Sequence, residues 1–241
     1  FLLDAEQTVR PADLPLATLR GILDRATADN RAFHLMTQMR VAAGSDYVAG
    51  IRSLLRGDPS PDALRGLGDY DLRFFDDLGE MRSQILARNE EHGLARLLAG
   101  YAWKWRSRKD RSAFDIEIGD VHLRWNSTDK DWINQPTSVN EVGSIHTVQG
   151  YDLNYAGVII GPDLRFDTAS GRLFVDRASY HDSKGKENNK QLGVVYSDDD
   201  LLTFIRNIYG VLLTRGILGT YIYVCDPALR GYLRSHMPVS E

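Results

Sequence analysis

The sequence predicts an α/β domain built on a mostly parallel sheet, and three observations carry that prediction. Apolar runs of strand length, such as Ala156 to Ile160 and Thr220 to Cys225, alternate along the chain with segments whose apolar residues recur at helical spacing. The Val158-Ile159-Ile160 run lacks polar alternation, as expected of a strand covered on both faces. The helical segments between the runs supply the crossovers that a parallel sheet requires. With 43% hydrophobic and 26% charged residues, the 241-residue chain has the composition of a folded globular protein.

Phe1-Leu2-Leu3 has the character of a buried strand running into Asp4, and with no start methionine before it the chain reads as beginning inside a domain. Pro11 to Asn30 is turn followed by helix, with Leu16, Leu19, Ile22 and Leu23 at helical spacing. Ala32 to Met36 is strand-like and leads to Arg40. Val48, Ile51, Leu54 and Leu55 make one face of a helix from Asp46 to Leu55, and Gly57 to Pro61 form a turn. Residues 76–91 read as a further helix. Leu94 to Trp105 is assigned as a strand, because Gly93 and Gly100 break a helix and the segment finishes in aromatics. Phe114 to Trp125 alternates on either side of Gly119-Asp120, the pattern of a two-stranded hairpin.

Short apolar runs at Ser144 to Thr147 and Ala156 to Ile160 flank a Gln-Gly turn. Residues 162–197 form a polar excursion with a hairpin at Ser170-Gly171 and a Lys/Asn-rich loop from Ser183 to Lys190. Asp198-Asp199-Asp200 puts negative charge where the helix macrodipole favours it, at the start of a long helix running to Gly216 or Gly219. Thr220 to Cys225 is the last strand, closed by Asp226-Pro227.

Composition excludes several function classes. Lys and Arg total 29 against 33 Asp and Glu, a net charge of -4, so any nucleic-acid contact must use a local patch. Cys225 is the only cysteine, which rules out a disulfide within the chain and a cysteine-rich zinc site. The six histidines show no ligand spacing, and no metal site is expected. The longest uncharged apolar stretches, Leu153 to Pro162 and Gly216 to Cys225, are about half of what a membrane-spanning helix needs, so a cytoplasmic protein without a membrane partner is expected.

Three segments can carry chemistry. In Ile145-His146-Thr147-Val148-Gln149-Gly150-Tyr151-Asp152, a glycine beside a strand end lets backbone amides approach a phosphate; the alternative is an ordinary turn. Tyr209 to Gly216 is an apolar helix face ending in Thr214-Arg215-Gly216, where an arginine fork suits phosphate oxygens or else offsets the helix C-terminus. Trp103, Trp105, Trp125 and Trp132 cluster around Lys104 to Arg111, a stretch with five cations against Asp110. Aromatics interleaved with cations suit single-strand binding, since bases stack on rings while cations follow phosphates; the alternative is a small core with a solvated basic rim. Lys184, Lys186 and Lys190 form a second basic loop.

The first two segments, in this order, resemble motifs V and VI of superfamily 1 helicases, whose pattern is H-T-x-x-G-x-E/D and then L-T-R on the last helix. The chain as a whole resembles the Schlafen group 3-like DNA/RNA helicase domain, through Ala99 to Trp105, Val148 to Asp152, Gly157 to Pro162, and Leu213-Thr-Arg-Gly216 through Pro227. That resemblance implies a RecA-like sheet flanked by helices, with a β-hairpin insertion. Residues 1–30 would close a first RecA-like domain with motif III, and residues 31–241 would form the second.

In motif III, Gln7 would sense the terminal phosphate of ATP; a competing Walker B reading places Asp4 on magnesium but is followed by Ala5 instead of Glu. Arg40 matches the arginine of motif IV and, with Arg215, would reach the γ-phosphate as a catalytic cation; a plain surface arginine is the alternative for Arg40. Gln149, Gly150 and Asp152 would line the nucleotide, Asp152 being shorter than the commoner Glu. His146 and Thr147 would point the other way, to nucleic acid, joined by Lys104, Arg106, Arg108 and Trp103; a satisfied buried histidine is the alternative for His146.

No G-x-x-x-x-G-K-[ST] occurs, and Gly185-Lys186 is followed by Glu187. The resemblance therefore implies that ATP and Mg²⁺ serve the intact enzyme, that a missing N-terminal RecA-like domain supplies the phosphate cradle, and that this chain alone holds no nucleotide stably. Single-stranded DNA or RNA is the expected partner. The rival expectation is a RecA-like binding module that has lost hydrolysis.

Overall fold

A computed structural model describes residues 16–33, 41–42, 45–59, 64, 66–188, 193 and 195–237. The expected strand Phe1 to Leu3, Gln7 and Arg40 lie outside the described residues, as does most of the strand expected from Ala32 to Met36. The elements run α1 (Leu16–Ala28), α2 (Ser45–Arg56), β1 (Asp71–Phe75), α3 (Leu78–His92), β2 (Ala95–Ala99), β3 (Ile116–Ile118) and β4 (Val121–Trp125). Two 3₁₀ turns, Trp132–Asn134 and Pro136–Asn140, lead into β5 (Glu141–Gly143), α4 (Ile145–Val148) and β6 (Leu153–Ile160). The hairpin β7 (Leu164–Asp167) and β8 (Arg172–Val175), a turn α5 (Ser183–Lys186), α6 (Asp198–Leu213), β9 (Gly216–Val224) and α7 (Pro227–His236) complete the chain.

Seven strands form one sheet in the order β1-β9-β6-β2-β5-β4-β3. Every neighbouring pair is parallel except β3 with β4, the hairpin centred on Gly119-Asp120. The β7–β8 hairpin makes a separate two-stranded sheet. Successive side chains of a strand face opposite ways, and the sheet uses both faces. Leu97, Ile159 and Tyr221 pack with Met81 and Ile85 of α3 on one side. Their neighbours Leu98, Val158 and Ile222 pack with Ile51 and Leu54 of α2 and Ile205 and Leu212 of α6 on the other. Such double coverage is why β6 reads as an unbroken apolar run.

Helix starts follow local chemistry. At α6 the Ser197 hydroxyl accepts from the Asp200 N–H and the Asp200 carboxylate accepts from the Ser197 N–H, a complete capping box. Asp77 caps α3, and Asp226 caps α7 ahead of Pro227. Close approach of α3 to the sheet requires Gly157, where a Cβ would lie 2.7 Å from Ile85 Cγ1.

Four elements differ from the sequence expectation. The strand assigned to Leu94–Trp105 ends at Ala99, because residues 100–105 leave the sheet and fold their aromatics together. Strand β5 is Glu141–Gly143, and the apolar run after it is one turn of helix whose Ile145 and Val148 are apolar because they are fully buried. The long helix stops at Leu213, so β9 begins already at Gly216. Strand β1 was not foreseen because Asp71 and Arg73 interrupt its apolar residues; both charges join an edge network in which Arg73 Nε donates to Asp71 at 2.6 Å and the Tyr221 hydroxyl donates to Asp71 at 2.7 Å.

Candidate functional site

Strand β5 ends at the carboxyl edge of the sheet and its parallel companion β6 begins at the amino edge, so residues 144–152 must cross the sheet. One helical turn, α4, makes the crossing. Its two ends therefore present side chains at opposite edges, and Gly150, expected beside a strand's carboxyl end, lies instead just before the amino end of β6, at φ +98°.

At the amino edge, residues 149–152 form an exposed turn. Arg215 follows α6 and precedes β9, and its backbone carbonyl accepts from Leu153 N–H at 3.0 Å, which aligns the two strand starts. Its guanidinium is only 2% exposed, donates to the Tyr151 carbonyl at 3.1 Å and lies 3.8 Å from Asp152 Oδ1. The structure thus brings together Gly150, Asp152 and Arg215, with Gln149 on the same turn.

At the carboxyl edge, His146 and Thr147 part company. The His146 ring is 34% exposed, 3.4 Å from Asp182 Oδ2 and 5.6 Å from the Tyr101 ring. Burial pushes the Asp182 carboxyl up, but the His146 contact and the N–H groups of Gly185 and Lys184 outweigh that and hold it below the ordinary carboxylate range. Thr147 is buried, its hydroxyl exchanging a 2.9 Å hydrogen bond with Ser144. Tyr101 also meets Trp105 and Trp125, at 6.2 and 5.4 Å between ring centroids, and burial pushes its hydroxyl up to about 12.

The tryptophans divide by role. Trp125 and Trp132 are buried, and Trp132 Nε1 donates to Glu141 at 2.7 Å, so Trp132 belongs to the core. Trp103 and Trp105 are half-buried against Trp125. The basic stretch divides as well: Lys104 is exposed, Arg106 pairs with Glu117 at 3.3 Å, and Arg108 lies over the Trp105 ring at 5.2 Å.

Residues 1–226 match the family described as Schlafen group 3, DNA/RNA helicase domain. The chain belongs to this family. The uncharacterized protein YPL245W of Saccharomyces cerevisiae is 31% identical over 211 residues, which cover 86% of this chain and 45% of that protein. The Schlafen group 3 helicase domain described here thus spans less than half the length of the curated relative it matches.

The helicase domain also holds a buried acid that carries no sequence signal beyond the Gly161-Pro162-Asp163 end of an apolar strand. Asp163 is 1% exposed; the Tyr209 hydroxyl of α6 donates to it at 2.6 Å and itself accepts from Gly161 N–H at 2.9 Å. Burial raises the Asp163 carboxyl to about 7. Among the described residues of the helicase domain, no three His, Cys, Asp or Glu side chains gather as a metal site, and no helix is long and apolar enough to cross a membrane.

Proposed function

We propose that this helicase domain is the second half of an ATP-driven motor on single-stranded DNA or RNA. The observation that carries the reading is the crossing made by residues 144–152: one end of a single segment meets Arg215, the other meets the aromatic carboxyl edge. In this reading Gln149, Gly150, Asp152 and Arg215 face a nucleotide held mainly by the phosphate cradle of an N-terminal RecA-like domain, where Mg²⁺ would also be bound. His146, Trp103, Lys104, Arg106 and Arg108 face the strand. A shift at either end of the crossing would be felt at the other, the coupling a motor needs. Arg40 and Gln7 would complete the phosphate contacts.

The test is phosphate release by the full-length protein, with and without single-stranded nucleic acid. Turnover stimulated by the strand and weakened by the Lys104→Glu, Arg106→Glu, Arg108→Glu triple change supports the motor. Absence of turnover under both conditions, with strand binding intact, would establish the non-catalytic binding module. The 241-residue chain alone is expected to release no phosphate, because arginines without a cradle leave the nucleotide no fixed geometry.

A second reading rests on the 2% exposure of the Arg215 guanidinium. In it Arg215 holds the 149–152 turn in place and acts on the nucleotide through Asp152, without touching phosphate.

A further inference from the structure

Beside the aromatic edge lies a cavity of about 710 Å³, inside the range of roughly 300–1,000 Å³ that small-ligand sites occupy. Its walls come from α3, the loop after β2, the β3–β4 hairpin and the segment before β5. Motif matching touches only one of these walls. Three properties of the lining bear on what it holds.

Its charge is positive. Arg82, Arg108, Arg111 and Arg124 line it, against Asp129 and Glu141. Both carboxylates are engaged inward: Asp129 accepts from Asn126 Nδ2 at 3.2 Å, and Glu141 accepts from Ser127 N–H at 2.8 Å and Trp132 Nε1 at 2.7 Å. The arginines are held by neutral groups. Arg124 donates to the carbonyls of Ala113 and Ser112, both at 3.0 Å, Arg82 donates to Asn140 Oδ1 at 3.2 Å, and Arg108 lies over Trp105. Arg111 is exposed. The lining therefore carries an excess of positive charge, and among the described residues none of these four arginines forms an ion pair with a carboxylate.

Its surface is partly aromatic, with Trp105, Trp125 and Phe114 in the lining. The residues of its walls also hold enclosed polar atoms with no partner. Trp125 is 1% exposed and its Nε1 donates to nothing; Asn126, also 1% exposed, has an Oδ1 that accepts from nothing. The orientation of the Asn126 amide is set by its Nδ2, which donates to the Thr128 carbonyl and to Asp129. A third such atom is Arg82 Nε. Buried polar groups left unpaired cost about 1–3 kcal/mol each, so three in the walls of one cavity leave hydrogen-bonding capacity that a ligand would satisfy once a small shift of the wall exposes them.

A ligand that answers all three properties has an anionic group, a flat ring, and a ring edge bearing both an acceptor and a donor. We propose that this cavity is a subsite for one nucleotide unit, with phosphate toward Arg108 and Arg111, the heterocycle against Trp105, and the base edge toward Trp125 Nε1 and Asn126 Oδ1. The unit comes either from a single strand or from a free nucleotide. The strand form deepens the nucleic-acid half of the function proposed above and rests on it. Trp105, Arg108, Arg111 and Trp125 belong to stretches already singled out in the sequence, whereas Arg82, Phe114, Arg124 and Asn126 lie outside the residues assigned to strand binding.

The test measures binding to the full-length protein, by fluorescence anisotropy with a labelled single-stranded 12-mer of DNA or RNA and by calorimetry with the four nucleoside monophosphates. Variants are Arg111→Gln, Trp125→Phe and, outside the cavity on the exposed side of β8, Arg172→Gln. Arg111→Gln is surface-exposed and spares the fold, while melting temperature checks Trp125→Phe. If strand affinity falls about fivefold or more for Arg111→Gln, with a salt slope smaller by about one, and falls for Trp125→Phe while Arg172→Gln stays within about twofold, the subsite holds strand. If the strand binds wild type and Arg111→Gln equally, the subsite is overturned and the strand reading stands. If the strand fails to bind but a monophosphate binds in an Arg111-dependent way, the subsite is upheld as a free-nucleotide site and the strand reading falls. If neither binds, both fall.

Discussion

The two edges of the central sheet hold arginine in opposite ways. At the amino edge Arg215 is 2% exposed, tied to the Tyr151 carbonyl and close to Asp152. On the other side of the molecule, Arg108 and Arg111 stand at a cavity whose carboxylates are occupied elsewhere. An arginine enclosed by backbone acceptors and a nearby carboxylate fixes geometry. One stacked on an aromatic ring, or left in solvent, keeps its charge available to an incoming anion. The difference teaches that the two motif-bearing halves of this domain are built to different standards of order, and each of the following changes presses on one half while sparing the other.

The largest effect is expected at Arg215. In the full-length protein Arg215→Lys replaces a planar fork with a point charge. If Arg215 touches the transferring phosphate, turnover falls by about a thousandfold or more while the melting temperature stays near wild type. If Arg215 instead holds the 149–152 turn, the variant loses stability by about 1–3 kcal/mol from the unpaired Tyr151 carbonyl, and the apparent KM for ATP rises with a smaller loss of turnover. Steady-state phosphate release and thermal unfolding, measured together, separate the two. Strand affinity should be unchanged in either case.

Next is the buried acid beneath the carboxyl edge. The Asp163 carboxyl titrates near 7 in the fold against about 3.9 in the unfolded chain, so the folded state binds its proton more tightly. The sign follows: its contribution to stability is intact below about pH 4, declines as pH rises, and is fully lost above pH 7, by up to a few kcal/mol. Asp163→Asn keeps an acceptor for the Tyr209 hydroxyl and has nothing to ionise. Stability of the variant relative to wild type, from denaturant titrations at pH 5, 6 and 7, should rise across that series. A difference that stays flat would mean that Asp163 is already ionised in the fold.

How much of this was readable in advance can be traced residue by residue. The doubly covered strand at Val158 to Ile160, the hairpin at Gly119-Asp120 and the acidic start of α6 were legible because each is a local pattern with a local cause. Strand β1 was hidden because its charges are paid out to the network at the sheet's amino edge, a tertiary fact. Motif resemblance named Asp152 and Arg215, and the fold sets them 3.8 Å apart. The resemblance also treated His146 with Thr147 as one pair, and the interleaved aromatics and cations made Lys104 to Arg111 read as one patch; the fold divides both. The cavity residues Arg82, Arg124 and Asn126 carried no sequence signal, since only strand register and the packing of α3 bring those segments together.

A glycine at each edge offers a milder comparison. A Cβ on Gly161 would collide with the Ala102 Cβ and lie 3.0 Å from Trp103, whereas one on Gly216 would run into the backbone carbonyl of Gly219. Gly161→Ala should destabilise by about 1–3 kcal/mol and shift tryptophan emission, because the loop that carries Trp103 and Trp105 must move. Gly216→Ala meets backbone, which yields less, and should cost at least as much without changing the emission of the folded protein. Equal emission changes in the two variants would show that the edges are not structurally separate.

The smallest effect separates the two neighbours on α4. His146 is partly exposed at the carboxyl edge, and Thr147 is buried with its hydroxyl bonded to Ser144. If the strand passes this edge, His146→Ala removes one hydrogen bond to it, worth about 0.5–1.5 kcal/mol, and weakens single-strand affinity by a factor of roughly two to ten. Thr147→Val removes the hydroxyl but keeps the shape, so stability should fall by about 1 kcal/mol while affinity holds. The same His146→Ala change takes away a group that favours the charged form of Asp182, so the Asp182 carboxyl should titrate higher, which carbon-detected NMR can follow. Should Thr147→Val weaken the strand as much as His146→Ala, the hydroxyl must leave Ser144 when nucleic acid arrives, and the carboxyl edge would be a moving surface instead of a preformed one.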